Sequence, residues 1–512
     1  MTDFSLLLRG GVVADGTGAP LVARDVAVVG GHLVVLEPGS TATADEVVDV
    51  RGLVVAPGFI DAHTHSDTSV LAAADGELDI AQAYAAVRQG VTVEVAGNCG
   101  SSAFPGSFSD LAALSRAQES VGRPNHLVSL LGHGSLRAAV VGHEARPATE
   151  QEVARMADKL DEALAAGAVG FSTGLIYTPG TYADTAEVTT LARIAAQHRK
   201  PYVTHLRDEM SGVEEALEEA VAIARDSGAA LHISHHKTAG KYAWGRTETT
   251  LATLASLRDS GMDVTCDVYP YTAGSTALAA MLPPWAHDGG PARMLERLKD
   301  PAQRDLIRAD ISEGVPGWEN TVGNGGWDRI SVACARRHPQ YQGRTIAEIA
   351  AARELDALDL VSELLLDEDG DVSIISHSMR EDDVRRVLSA PFAMIGSDGV
   401  PKPGLPHPRW AGTFSRVLGH YSREVGLFGL TEAVRKMTGA TAKRFGLVGR
   451  GVVRNGAHAD LVVFDPERIA DRATFEDPLV PPEGVRMVVV AGAVVVRDGE
   501  VLGARPGQVL AC

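Results

Sequence analysis

From Gly58 to about residue 447, short apolar runs alternate with alanine- and leucine-rich stretches of helical period, and this alternation limits the fold more than any other feature. TEQEVARMADKLDEALAAG leads into VGFST, and VTTLARIAAQHRK leads into PYVTH. Such text reads as the strand–helix units of a parallel α/β protein. Nine runs qualify as strands: GFIDAH, VTVEVA, HLVSLL, VGFST, PYVTH, ALHIS, DVTCDVY, VSIIS and AMIGS. A (β/α)8 TIM-like barrel uses eight, so one is surplus, and periodicity does not single it out. The length of the alternating region favours a barrel over an open sheet, and polar residues gather just after the strands, where barrels keep their active sites. No G-x-G-x-x-G follows the first strand, which argues against a dinucleotide fold.

The two chain ends resemble each other. LLLRGGVVADG, DVAVVGGHLVVL and VVDVRGLVVAPG at the start, and GVVRNGAHADLVVFD and MVVVAGAVVVRDGEVLG at the finish, are β-branched runs broken by glycine turns. They read as antiparallel hairpins. Neither end holds enough strands for a closed sandwich, so residues 1–57 and 448–512 are expected to combine into one small β-sandwich domain. The barrel, 58–447, is then inserted into it. Within the barrel, residues of about 284–350 break the repeat with PPWAHDGGPARM, EGVPGWENTVGNGGWDR and CARRHPQYQGR. An insertion of this length, rich in Gly, Pro and Trp, is expected to wall or cover the site.

Charge narrows the partners. A formal net charge of −19 offers no basic stripe for nucleic acid or an anionic membrane, which leaves a small-molecule substrate. The amino-terminal MTDFSLLLRGG carries an acid where a signal peptide wants bases, and no apolar stretch approaches a membrane span, so a cytoplasmic location is expected. Cys99, Cys266, Cys334 and Cys512 are too sparse for a disulfide framework and read as free thiols.

Chemistry-bearing residues cluster at strand ends. DAHTHSD places His63 and His65 at i, i+2, on one face of a strand, so two imidazoles can converge on an ion. His205 in YVTHLRDE, His235 or His236 in HISHHK, and Asp398 in IGSDG close three further strands. Four strand ends presenting His-x-His, His, His and Asp form a specific metal-ligating constellation. Alternation puts Ile233 with His235 on one face, and His232, Ser234 and His236 on the other, and does not say which face looks inward. His377 in IISHSM also follows a strand-like run, and His133 in LLGHGSLR follows the third strand; neither is placed in the ligand set.

These residues resemble the amidohydrolase superfamily, in which a distorted barrel sits in a small β domain made from both chain ends, and the resemblance covers the whole chain. It implies a metal-activated water attacking an amide or ester carbonyl, with Asp398 managing protons. Many members bridge two metals with a carboxylated lysine. Between His65 and His205 the only lysines are Lys159, within a helical run, and Lys200, at the wrong end of its strand. Ser172 and Thr173, at the end of the fourth strand, are poor zinc ligands. Cys99, in EVAGNCGSS, is the soft anionic ligand at a strand mouth in that interval, with Gly97 and Gly100 letting the backbone bend around it.

The subset of the superfamily that uses a cysteine in this way is the N-acyl-D-amino-acid deacylases, or D-aminoacylases. GFIDAHTHSD, GNCG, FSTGLIY, THLRDE, SHHK, YPYTAGST and GSDG followed by HPR are similar to theirs. The resemblance implies one tight Zn2+ on Cys99, His205 and His235, and a second position, weak or empty, on His63, His65 and Asp398. It also assigns the substrate α-carboxylate to Lys237, Tyr269 and Arg409, and it favours His235 over His236. Members taking acidic D-amino acids carry an arginine near the start of the insertion. Here LPPWAHDGG offers Trp285, His287 and Asp288, with no arginine before Arg293, so a neutral, hydrophobic side chain is expected. Competing readings are a cyclic-amide hydrolase of the dihydropyrimidinase or hydantoinase kind, which the missing lysine opposes, and a non-catalytic binding member, which the complete ligand set opposes.

Overall fold

The computed structural model describes residues 3–512; Met1 and Thr2, the start of the stretch read above for a leader, lie outside the described residues. Eight of the nine runs form the barrel: β1 (Phe59–Asp61), β2 (Val91–Ala96), β3 (His126–Ser129, continued by Leu131–Gly132), β4 (Phe171–Gly174), β5 (Tyr202–His205), β6 (Leu231–Ile233), β7 (Val264–Val268) and β8 (Ala393–Ile395). Each pairs in parallel with the next. The ring closes where Ala62 N–H donates to the Ile395 carbonyl at 3.2 Å and Thr64 bridges Gly399. Parallel strands buried on both faces explain why these runs read as near-continuous apolar text.

The surplus run is VSIIS. Its strand, Ser373–Ser376, lies between Gly274–Ala277 and Ile330–Cys334 in a separate antiparallel sheet. In β-branched content it matches the barrel strands, and only its partners distinguish it. That sheet, with helices Pro291–Lys299, Pro301–Glu313, Ile346–Arg353 and Ala357–Asp367, encloses a core of its own around Leu298, Ile330, Val361 and Ile374. The interruption thus reaches from Gly274 to Ser376, beyond the Gly/Pro/Trp-rich text at both ends.

Nine strands from the chain ends join in one sheet that forks at Phe4–Val13. Val54–Pro57 pairs antiparallel with Leu461–Phe464, which ties the two ends together over a core of Leu6, Leu8, Val26, Leu461 and Val463. Ala44–Asp49 and Val54–Pro57 pair with Phe4–Val13 in parallel, so the text read as hairpins is only partly antiparallel. The chain then runs back to the barrel floor, where Val509 pairs with Leu127 and Cys512 N–H reaches the Gly167 carbonyl.

The helices carry ordinary signals. Thr149 and Glu152 form a reciprocal cap on Glu150–Ala165, which buries Met156, Leu160 and Leu164 at four-residue spacing. Inside the ring Ile60, Val93, Val95, Val128, Leu130 and Val203 make a dry plug closed by Phe445, Leu447 and Leu510. Burying each such side chain contributes roughly 1.5–3 kcal/mol.

One ion pair lies on the opposite, outer face of β2. Arg123 Nη2 lies 3.2 Å from Glu94 Oε2, with the side chains 1% and 2% exposed. Glu94 also accepts Ser66 Oγ at 2.6 Å and Asn125 Nδ2 at 2.7 Å, which fixes the chain just past His65. Replacing Arg123 with leucine leaves a buried carboxylate without its counter-charge, and a loss of about 3–5 kcal/mol is expected in urea unfolding.

Candidate metal centre

The residues expected at the strand ends meet at the carboxyl-terminal mouth of the barrel. Cys99, His205 and His235 place one ligand atom each within 4.8 Å of one another, and so do His63, His65 and Cys99, and His63, His235 and Asp398. Cys99 Sγ lies 3.3 Å from Nε2 of both His63 and His235. On the other side, Asp398 Oδ1 lies 3.1 Å from His65 Nε2 and 3.5 Å from His63 Nε2.

Local backbone turns aim these side chains. Cys99, His235 and Asp398 have φ of 52°, 33° and 51°, in the left-handed region that residues with a Cβ avoid. For His235 the turn overrides strand alternation. β6 ends at Ile233, which with Leu231 faces the surrounding helices, while His232 points inward to Asp267. The expectation that His235 shares a face with Ile233 therefore fails, because the strand has already ended. His236 turns away, its Nε2 2.8 Å from Thr250 Oγ1.

The electrostatics suit a thiolate ligand. Burial pushes the Cys99 thiol up, but the imidazoles of His63, His235 and His205 outweigh burial and hold it well below its ordinary value. Burial likewise raises Asp398, and the charges of Arg409, His235 and His63 more than reverse this, keeping the carboxyl well below the usual range. Both ring nitrogens of His205 are buried without a hydrogen-bond partner. An imidazole so placed beside a thiolate fits a metal ligand, and a sulfur with two nitrogens suits zinc.

Lys237 and Arg409 flank the Tyr269 ring, with Nζ 5.6 Å and Cζ 4.6 Å from its centre. Lys237 Nζ lies 2.8 Å from both oxygens of Glu209. Arg409 Nη1 approaches Asp398 Oδ2 at 2.9 Å but is not aligned to donate, so this is a charge contact, and Nη1 and Nε keep unspent N–H groups in a side chain only 1% exposed.

Two carboxylates escaped the reading of the sequence. Glu209 stands 3.1 Å from His235 Nδ1 and 3.5 Å from His205 Nε2. It is four residues past His205 in the same THLRDE text, and that spacing was the available signal. Asp267, buried in β7, touches His63 and His232 and accepts the N–H of His235. Its signal was a lone acid within a buried strand.

Two histidines set aside above stay outside the cluster. His377 follows the insertion strand and packs on Phe475. His133 is buried against Glu187 at 2.8 Å.

A cavity of about 570 Å3 opens over the cluster. Its apolar wall comes from Ile176, Ala277, Ala280, Met281, Val372 and Val400. Trp285, His287 and Asp288 do not line it: they are bonded to Asp310, the Ala279 carbonyl and Ala145 N–H. The insertion also reaches the centre through Glu319, whose Oε2 accepts the Glu209 N–H at 2.6 Å.

The amidohydrolase family profile matches residues 46–496. A D-aminoacylase of Alcaligenes xylosoxydans xylosoxydans is 38% identical over 99% of this chain and 98% of its own. A solved D-aminoacylase, described as having a binuclear metal centre with one-metal activation and second-metal attenuation, superposes with a TM-score of 0.84 at 38% identity, covering 99% of this chain and 100% of that one. The N-acyl-D-glutamate deacylase of Bordetella bronchiseptica, solved with zinc and a phosphonate mimic of the tetrahedral intermediate, does so with a TM-score of 0.84 at 36% identity and the same coverage. A dihydropyrimidinase of Brevibacillus agri, at 16% identity and a TM-score of 0.58, with 99% and 98% coverage, shares the fold.

Glu319 supplies a pH test. Burial, with the nearby charges of Glu209 and Asp208, raises its carboxyl from 4.5 to about 7. A group raised in the folded state contributes fully below its unfolded pKa and loses that contribution as pH climbs through the folded value. Glu319→Gln is therefore expected to gain stability over the parent between about pH 5 and pH 8, read as the shift in urea midpoint at each pH.

Proposed function

The chain belongs to the amidohydrolase family and, within it, to the N-acyl-D-amino-acid deacylases, and we propose on that premise that it hydrolyses N-acyl-D-amino acids with neutral, hydrophobic side chains to a carboxylate and a free D-amino acid. The observation that carries the reading is the Cys99 sulfur at the barrel mouth, 3.3 Å from His235 Nε2, where it can serve as an anionic ligand in a chain without a bridging barrel lysine. Lys159 is exposed on its helix, and Lys200 donates to the Cys512 carbonyl at the opposite end of the barrel, so neither supplies that bridge. This weighs against a cyclic-amide hydrolase.

Cys99, His205 and His235 would hold one tight zinc, and His63, His65 and Asp398 would form a weaker second position. Zinc in a three-ligand site with one open position lowers the pKa of water to ~7 and polarises a carbonyl. The protein does the rest. Asp398 takes the proton that water loses as its oxygen bonds to the acyl carbon, and returns it to the nitrogen as the C–N bond breaks, so that the product leaves as an amine. Arg409 offers its unspent Nη1 and Nε donors, and Lys237 its ammonium, to the substrate α-carboxylate beside Tyr269. The apolar wall of the cavity receives the side chain. Among the described residues no unpaired lysine or arginine lines that cavity, since Lys402 is held by Asp371 and Lys237 by Glu209, and this supports a neutral side chain over an acidic one.

A panel of N-acetyl amino acids in paired D and L forms, run beside hydantoins and dihydropyrimidines, tests the reaction. Turnover confined to D-forms, highest for hydrophobic side chains, is expected; turnover of L-forms or rings alone would refute it. Cys99→Ala is expected to lose the tight zinc in metal analysis. Asp398→Asn should keep that zinc while kcat falls about 10²–10⁴-fold.

A further inference from the structure

One buried carboxylate beneath the centre reaches both halves of it. Asp267, near the carboxyl end of β7, is fully buried. Its Oδ1 accepts the His235 N–H at 2.9 Å, and its main-chain oxygen accepts the His236 N–H at 2.8 Å. These two bonds clamp the turn in which His235 adopts φ of 33°. A left-handed residue with a Cβ is strained and persists only where its surroundings over-determine it. Here Asp267 does so.

The second oxygen faces the other half. Asp267 Oδ2 lies 2.9 Å from His232 Nε2 and 3.4 Å from His63 Nδ1. The remaining nitrogen of His63, Nε2, looks toward Cys99 Sγ at 3.3 Å and Asp398 Oδ1 at 3.5 Å. A neutral imidazole has one proton, and an acceptor at Nδ1 draws it there, which leaves the Nε2 lone pair free for a metal. Thr265 Oγ1, 2.7 Å from His232 Nδ1, fixes His232 in turn, so that ring presents Nε2 to the carboxylate and has no freedom to replace it.

We propose that Asp267 is a positioning residue shared by the two metal positions: it clamps the turn that carries His235 for the first, and holds the proton of His63 on Nδ1 for the second. The proposal rests on the reading that the clusters bind divalent metal. A change from carboxylate to carboxamide separates the two tasks. Asp267→Asn keeps an oxygen for the His235 N–H but turns an N–H toward His63. That ring must then accept at Nδ1 and carry its proton on Nε2, toward Cys99 and Asp398, where it no longer offers a lone pair.

The parent and Asp267→Asn, stripped by chelation, are titrated with Co2+. The thiolate-to-cobalt charge-transfer band reports the Cys99 position, and calorimetry reports the second equivalent. In the variant the band and first-equivalent affinity are expected to stay within about threefold of the parent, while the second equivalent weakens about 10–100-fold. An unchanged second equivalent overturns the proposal, and so does loss of the band in a variant whose circular dichroism matches the parent. A measurement on the parent alone covers a variant that does not fold. Histidine-selective 15N spectra of protein carrying one equivalent of zinc should show the His63 proton on Nδ1, and a proton on Nε2 overturns the proposal. A parent without the thiolate band refutes the metal reading itself, which is distinguishable from either failure above.

Discussion

The sulfur of Cys99 has to stand at the barrel mouth between two imidazoles, and much of the nearby chain is arranged to allow it. The turn that presents it presses against β4, where a Cβ on Gly174 would come 2.1 Å from the Cys99 carbonyl. Side chains are excluded where three strand ends converge, so that backbone can approach backbone. His235 and Asp398 repeat the pattern of a left-handed residue just beyond a strand. Three such residues represent several kcal/mol of local strain, which a lone loop would relax. The closed barrel does not permit relaxation: Asp398 N–H is bonded to the His63 carbonyl at 2.8 Å, across the seam between β8 and β1. The ring that joins first strand to last also fixes the ligands.

Charge is balanced inside the centre before any substrate arrives. Burial lowers the Lys237 ammonium, but Glu209 outweighs burial and raises it above the ordinary value, while Lys237 and the two histidines hold Glu209 below the carboxylate range. Lys237 therefore brings little net charge to an incoming carboxylate. Arg409 differs, because its contact with Asp398 leaves two N–H groups unsatisfied in a buried side chain, and a buried donor without a partner costs about 1–3 kcal/mol until one appears. Under the proposed function Arg409 therefore carries the free donors that a substrate carboxylate would need, with its guanidinium 4.6 Å from the centre of the Tyr269 ring.

How much of this was legible depended on which physical rule was in force at each residue. Strand text identified all eight barrel strands, because burial on both faces forces apolar runs. It failed on Val372–Ser376, since an antiparallel strand buried in a second core demands the same residues. His63 and His65 were readable as a pair because they flank Thr64, still bridged to Gly399 in extended geometry. His235 was not readable by alternation, because the chain leaves the strand two residues earlier; it required the resemblance of SHHK to a known pattern. Glu209 and Asp267 went unnoticed because a buried acid is recognised by its partners, and those lie on other strands. The LPPWAHDGG stretch looked decisive for the side chain of the substrate but bonds to other parts of the insertion and to the barrel loop at Ala145, a matter of tertiary packing with no local signature.

Chemistry and selectivity are thereby written in different parts of the chain. Every ligand candidate comes from the last residue of β5 or from the segment just past β1, β2, β6 or β8, whereas Ala277, Ala280, Met281 and Val372 in the cavity wall belong to the insertion, with a hydrophobic core separate from that of the barrel. Residues in one core can change volume with little disturbance to another when few packed contacts cross between them. Polar crossings at this mouth include Glu319 to the Glu209 N–H, Asp371 to Lys402, Tyr182 to the Pro284 carbonyl, Thr276 to the Tyr177 hydroxyl and Asp288 to the Ala145 N–H. Such contacts set where the wall stands without entering the packing beneath the metal centre. On the reading proposed above, a chain built this way can exchange one substrate side chain for another by altering the insertion, while the barrel seam keeps the strand ends where they are.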